Sequence, residues 1–394
     1  MSTSEDREIA RAGDVAPGTV SAPARSPWRA CRGVLAAVLA LACAGAPWTA
    51  AAANPSAERG AALYRKYCAT CHGDRAQGYA GDHAPSLATS TFQASASDEF
   101  LRAGIERGRP GTAMAGYGRE VGGPLDPGGV NDVIAFLRAN APAPKAPLSP
   151  ANGGLGNVGE GLVIYHQACA SCHGTQTGRG KAVHLFNPFF LETASDAYLN
   201  YAITRGRPST EMQPWADKLS PAEIEGVVAY LRSAAPEAGS LGKATGSGSG
   251  LSSAWQQPVV NPGGRPADLR PRGQLVPMAQ VKQALDEKRR IIIVDARAPS
   301  DWGQLRIPGA ISLPYYDLSG IDRLPKDGTW IVVYCACPHH LSGIVVEKLR
   351  ERGFEHSAVL DEGVLAWQQA GYPIYTASKP PAPGSEEARR PPVN

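Results

Sequence analysis

Apolar residues recur at helical spacing up to about residue 235, thin out over a Gly-, Ser- and Pro-rich stretch, and return after residue 290 as continuous runs. The helical spacing occurs in pairs. Gly60…Tyr64…Cys68 is matched by Gly161…Tyr165…Cys169, the segment from Phe100 to Pro110 by that from Tyr198 to Pro208, and Asp132 to Arg138 by Gly226 to Arg232. These pairs make an internal repeat of about one hundred residues. Each copy predicts a small helical shell whose first and last helices cross, with Gly60 and Gly161 permitting close approach and Phe136 and Tyr230 filling the crossing. Beyond the repeat the period changes. Met278 to Lys288 predicts a helix, Arg290 to Asp295 and Trp330 to Cys335 predict buried strands, Ser342 to Arg352 a helix, and Ser357 to Leu360 a further strand. Strands alternating with helices indicate a parallel α/β sheet, in which sites lie at the carboxyl ends of strands.

Between the two regions, Ala234 to about Arg272 is poor in core-forming residues and includes Gly246-Ser-Gly-Ser-Gly250, which predicts a flexible tether and a last domain free to move. At 394 residues the chain exceeds one core, and three domains are expected. The net charge of +3 is spread without a basic stripe, which argues against nucleic acid or an anionic membrane surface as partner. Gly 44 and Pro 34 are high and concentrate in loops and linkers.

Arg25, Arg29 and Arg32 precede an apolar run from Val34 to Ala46, a length that suits a signal peptide rather than a span, and Ala51-Ala52-Ala53 offers small residues for cleavage. A periplasmic protein is expected. If the segment is retained, Val34 to Ala53 is just long enough to anchor the chain in a membrane. Cys43 is a poor match to a lipoprotein site. Of eight cysteines, Cys31 and Cys43 leave with the signal, four lie in the repeat, and Cys335 and Cys337 remain, so no disulfide framework is expected.

The four are Cys68-Ala-Thr-Cys71-His72 and Cys169-Ala-Ser-Cys172-His173. C-x-x-C-H attaches a c-type haem: two thiols add to the vinyl groups of one porphyrin and the adjacent histidine reaches the iron. One copy alone also fits a redox or zinc CxxC; two copies in matching surroundings favour two covalently attached haem c groups. The sixth ligand follows from a census. The chain has four methionines, Met1, Met114, Met212 and Met278, and Met114 and Met212 each follow Gly-Arg-Pro in one copy. A thioether ligand raises the potential of a haem, as an electron carrier requires.

On these motifs residues 55 to 235 resemble two tandem class I cytochrome c domains. The resemblance implies electron exchange with redox partner proteins, and a proline carbonyl, of Pro85 and Pro188, that orients the histidine ring. His83, His166 and His184 are read as surface or packing residues.

Val294-Asp-Ala-Arg297, Arg306-Ile-Pro-Gly-Ala-Ile311, Val333-Tyr-Cys335, Leu349 to Gly353 and Leu360 to Trp367 before Gly371-Tyr-Pro373 resemble the rhodanese family in the right order. The resemblance implies that Cys335 accepts sulfane sulfur as a persulfide, from a small sulfur compound or a protein persulfide. A cysteine on a loop entering a helix start is suited to that anion. The loop Cys335-Ala-Cys337-Pro-His339-His340-Leu-Ser342 departs from the family, being longer and without its glycine and arginine, which argues against phosphatase chemistry. Cys337, His339 and His340 are further candidates for that chemistry. A metal site through Cys335, Cys337, His339 and His340, or an inactive docking domain, are the alternatives.

The expected organisation is therefore multi-domain: a signal or anchor over 1–53, two all-α cytochrome c folds over 54–145 and 152–236, a linker over 237–268, an α/β rhodanese-like domain over 269–378, and a disordered tail over 379–394.

Overall fold

The computed structural model describes residues 54–79, 84–140, 156–208, 210–235, 255, 257–336 and 339–376. The expected signal segment, most of the tether, the tail, His83 and Cys337 lie outside the described residues.

The first helical unit comprises α1 (Pro55–Tyr67), α2 (Ala69–His72), α3 (Ser90–Ser95), α4 (Asp98–Arg107) and α5 (Pro127–Ala139). The second repeats it with α6 (Val158–Ala168), α7 (Ala170–His173), α8 (Pro188–Thr193), α9 (Asp196–Arg205) and α10 (Pro221–Ser233). Polar side chains start the longer helices: Asn54, Ser97, Asp126, Asn157, Ser195 and Ser220 each accept from a backbone N–H of the first turn. The first and last helices of each unit cross as expected. A Cβ at Gly60 would fall on the Asp132 carbonyl, and one at Gly161 on the Gly226 carbonyl. The rings of Tyr64 and Phe136 (4.8 Å) and of Tyr165 and Tyr230 (5.4 Å) pack beside the two crossings.

The units meet through equivalent positions. Phe100 stacks on Tyr198 at 4.7 Å, Phe92 meets Tyr198 edge-on, and Phe190 meets Phe100 edge-on. Arg109 lies over Phe100 and Arg207 over Tyr198. Phe100 and Tyr198 are counterparts in the repeat, and the contacts of Phe92 and Phe190 across the junction are reciprocal, the arrangement of a two-fold dimer built within one chain.

The last domain is α/β. Its strands are β1 (Val259–Val260), β2 (Leu275–Val276), β3 (Ile291–Asp295), β4 (Leu305–Arg306), β5 (Ile311–Ser312), β6 (Ile331–Tyr334), β7 (Ser357–Leu360) and β8 (Tyr375–Thr376). Its helices are α11 (Met278–Asp286), α12 (Pro299–Gln304), α13 (His340–Glu351) and α14 (Gly363–Gln369). The main sheet runs β1-β3-β6-β7-β2 with β5 beside β3, and only β1 is antiparallel. β3, β6 and β7 are buried on both faces, which is why they read as unbroken apolar runs. At the end of β3 the buried Arg297 guanidinium grips Asp295 at 3.0 and 2.7 Å. Burial pushes the nearby Asp301 carboxyl up to about 6, against the pull of Arg297.

Two features depart from expectation. The stretch assigned to the linker up to residue 268 contributes β1, which pairs with β3, and Trp255 donates to the Ser312 carbonyl at 3.0 Å. A two-residue edge strand between prolines is too short to show a period. The second departure concerns freedom of movement. The α/β domain packs against the first helical unit: Ala298 and Tyr316 join the helical core, while Cys71 and Ala113 pack on the core beside the sheet.

Candidate functional site

Each CxxCH motif occupies the turn between two helices of its unit. Cys68 caps α1 and opens α2, and the His72 N–H bonds the Cys68 carbonyl at 2.9 Å; Cys169 and His173 repeat this at 2.9 Å. One short helical turn therefore presents both thiols and the ring. Tyr64 and Tyr165, fully buried, donate to the carbonyls of Gly73 and Gly174, each at 2.9 Å, and fix that turn. All four thiols are free of disulfides, and burial pushes Cys68 up to about 12 and Cys169 up to about 11. Desolvation lowers both His72 and His173 below the ordinary histidine value, which favours the neutral imidazole.

The ring of His72 places Nδ1 3.1 Å from the Pro85 carbonyl, as expected. In the second unit the partner is different: His173 Nδ1 lies 2.8 Å from the Val183 carbonyl. Pro188 instead takes the first position of α8, where its fixed φ suits a helix start, behind the N-cap Asn187. Counting back from the N-cap rather than forward from the histidine resolves the register. Pro85 precedes the cap Thr89, and Val183 the cap Asn187, by the same interval. Both rings thereby turn Nε2 away from a backbone partner and leave it for a metal.

Met114 and Met212 sit in loops of one construction. Arg109 and Arg207 donate their N–H to the carbonyls of Met114 and Met212 at 2.7 and 2.8 Å, and Thr112 and Thr210 accept from the methionine N–H at 3.0 and 3.1 Å. Paired thiols, an oriented imidazole and a methionine whose backbone is pinned recur in both units, a donor set that fits haem c. His166 and His184 have packing roles: His166 lies against Tyr165 and Tyr230, and His184 Nε2 is 2.9 Å from the Thr175 carbonyl.

Cys335 follows β6 at the carboxyl edge of the sheet and is 1% exposed. Its Sγ lies 3.4 Å from the Ser342 hydroxyl in the first turn of α13, and its carbonyl accepts from Val364 N–H at 2.9 Å. His339 adopts a left-handed conformation with φ 73° and caps α13, and its Nε2 lies 2.8 Å from Asp361 Oδ1. The ring of His340 packs, tilted, against Tyr79 of the first helical unit at 4.6 Å. The two imidazoles are thus held by different partners, and among the described residues no group of three or more His, Cys, Asp or Glu is placed to hold a metal ion.

The start of α13 packs on α2, the turn that carries Cys71 and His72. Beside it Tyr315 donates to the Tyr67 carbonyl at 2.7 Å and lies 3.3 Å from the Tyr117 hydroxyl. Tyr316 sets its ring edge-on to Tyr67 at 5.0 Å, and buried Ser300 donates to the Gly116 carbonyl at 2.7 Å. Sequence reasoning missed this contact. Its only trace was Tyr315-Tyr316, adjacent large aromatics in a loop.

Comparison with known proteins agrees with both halves. Residues 55–137 and 156–231 match the family model for cytochrome c oxidase, cbb3-type, subunit III, and residues 278–370 match the rhodanese-like domain. The cbb3-type cytochrome c oxidase subunit CcoP of Azospirillum sp. is 28% identical over 192 residues, covering 44% of this chain and 60% of that subunit. A sulfurtransferase of Allochromatium vinosum is 30% identical over 95 residues, covering 24% of this chain and 87% of that protein. An uncharacterized protein of Synechocystis sp. is 33% identical over 99 residues, covering 25% of this chain and 55% of that protein. The chain therefore spans little more than half the length of the Synechocystis protein and of CcoP.

Proposed function

Because this chain joins two domains of the cbb3-type subunit III cytochrome c family to a rhodanese-like domain, we propose that it is an exported two-haem electron carrier fed by sulfur chemistry at Cys335. In this reading Cys68, Cys71, His72 and Met114 would hold one haem, and Cys169, Cys172, His173 and Met212 the other. Haem c, when bound, supplies each unit with a one-electron carrier. Redox proteins of an electron-transport chain are the partners. The periplasm is the proposed location, on the apolar run from Val34 to Ala46 and the alanines before Asn54.

The observation that carries the reading is the packing of α13, which begins beside Cys335, on the α2 turn of the first CxxCH motif. In the first step the Cys335 thiolate attacks thiosulfate; the Cys335 S–S bond forms, the S–S bond of thiosulfate breaks, and sulfite leaves with no net electron change. In the second, the Cys335 persulfide anion and a low-molecular-weight thiolate join as a trisulfide and release two electrons. Two one-electron carriers are the matching sink. Ser342, at 3.4 Å, is placed to donate to the sulfur anion.

The test is reduction of the purified haem protein by thiosulfate with glutathione, followed by absorbance. Cys335→Ser is expected to abolish it; reduction at the parent rate would overturn the reading. One observation favours a second reading. Cys335 is 1% exposed and the loop lacks the family arginine, as suits a domain that only docks. Reduction surviving in Cys335→Ser would establish that alternative.

A further inference from the structure

The two haem units share one construction, yet the faces around their CxxCH and methionine loops have different surroundings. In the first unit the contacts with the rhodanese-like domain fall on both sides of the site: Tyr67 and Cys71 at the attachment turn, Ala113, Gly116 and Tyr117 at the methionine loop. Tyr67, Tyr117 and Tyr315 are buried together at 9%, 8% and 7% exposure, and Ser300 is fully buried. The equivalent face of the second unit is open. Trp215 matches Tyr117, since each donates its N–H to the equivalent isoleucine carbonyl, Ile203 at 3.1 Å and Ile105 at 2.8 Å. Yet Gln213 and Pro214 are exposed where Ala115 and Gly116 are buried, Trp215 is half-buried where Tyr117 is buried, and His173 is half-buried where His72 is buried.

We infer that the rhodanese-like domain is a fixed partner seated over the rim of the first haem site, held by Tyr315 and Tyr316, and that a separate redox protein meets this chain at the open rim of the second unit. The seat is made of hydroxyl-to-backbone bonds inside an aromatic cluster, so it is specific in register as well as apolar. A domain that merely swung on a tether would leave the Tyr67 carbonyl and the Gly116 carbonyl to water. The repeat supplies an internal control, because two amides at the first rim have counterparts with the same hydrogen bond at the second: Met114 with Met212, each bonded to its threonine hydroxyl, and Tyr117 with Trp215, each bonded to its isoleucine carbonyl. The inference rests on haem attachment at the two motifs and not on the sulfur reaction proposed at Cys335.

Hydrogen exchange of the full-length haem protein tests the seat. After correction for intrinsic rates, the amides of Met114 and Tyr117 are expected to exchange ~10-fold or more slowly than those of Met212 and Trp215, since opening requires the domain to lift. Tyr315→Phe, which keeps the ring and removes the hydroxyl, and Tyr316→Ala are each expected to shrink that ratio while leaving haem absorbance unchanged. Equal exchange at the two rims in the parent protein, or a ratio untouched by both substitutions, would overturn the seat. The open rim is tested with a strongly basic reduced cytochrome c as probe at low ionic strength. Gln213→Lys adds like charge at the exposed rim and is expected to slow electron exchange about 3-fold, an effect that fades with salt. An unchanged rate would overturn the second unit as the exchange face.

Discussion

At the scale of single residues, the two sites differ from an ordinary polar cluster in what the backbone does for them. Met114 and Met212 are held by their own N–H and carbonyl groups, through Thr112 with Arg109 and through Thr210 with Arg207. Alanine at either position keeps those backbone bonds and removes the thioether with the rest of the side chain beyond Cβ. Met114→Ala and Met212→Ala are therefore each expected to remove part of the methionine-to-iron charge-transfer absorption of the oxidised protein and to lower the potential of one haem, with little loss of stability. A spectrum unchanged by either substitution would mean that another group holds that iron. The CxxCH motifs and the two equivalently placed methionines were legible in the sequence because they depend on residue type. The orienting carbonyl was not, because any residue can offer one: Pro85 serves His72, but Val183 serves His173, and the proline nearest the expected place, Pro188, starts a helix.

At the scale of elements, the crossings of α1 with α5 and of α6 with α10 set the geometry of both sites, because each leads directly into a CxxCH turn. Gly161 approaches the Gly226 backbone so closely that no Cβ fits without a shift of the helix. Gly161→Ala gains up to about 1 kcal/mol in helix propensity and is expected to lose about 3 kcal/mol from overpacking. The balance is a lower unfolding temperature, measured on haem protein, with the first unit's spectrum intact. A gain in stability would show that the helices can separate at no cost. The helices and the central strands were legible because each carries a long period or an unbroken apolar run. β1 and the seat of the α/β domain were not, since two residues carry no period and Tyr315-Tyr316 has a partner, Tyr67 and Tyr117, far away in the chain. Composition described the tether's lack of a core, and that says nothing of what the domains at its ends do to each other.

At the scale of the whole molecule, the question is what is gained by placing the cysteine loop and the haem units on one chain. Two helical units built as a pseudo-two-fold pair are already joined by Phe100, Tyr198, Phe92 and Phe190, so in the proposed function the first unit is the link between Cys335 and the second. The α/β domain seated on that first unit keeps Cys335 beside it, and the tether holds the effective concentration of one part around the other in the mM range even when the seat opens. Separation should therefore cost rate rather than chemistry. Residues 54–240 with haem attached, mixed with an equimolar amount of residues 255–380 at about 10 µM, are expected to be reduced by thiosulfate and glutathione on the order of 100-fold more slowly than the intact protein, a ratio set by mM against µM concentration. Raising both pieces together should recover rate, because the tyrosine seat is still encoded in each. Cys335→Ser in the α/β piece should remove the recovery, which ties the rate to the sulfur and not to docking alone. If the dilute mixture is reduced as fast as the intact chain, the seat contributes nothing to electron delivery, and the junction of the two domains has to be explained by something other than proximity.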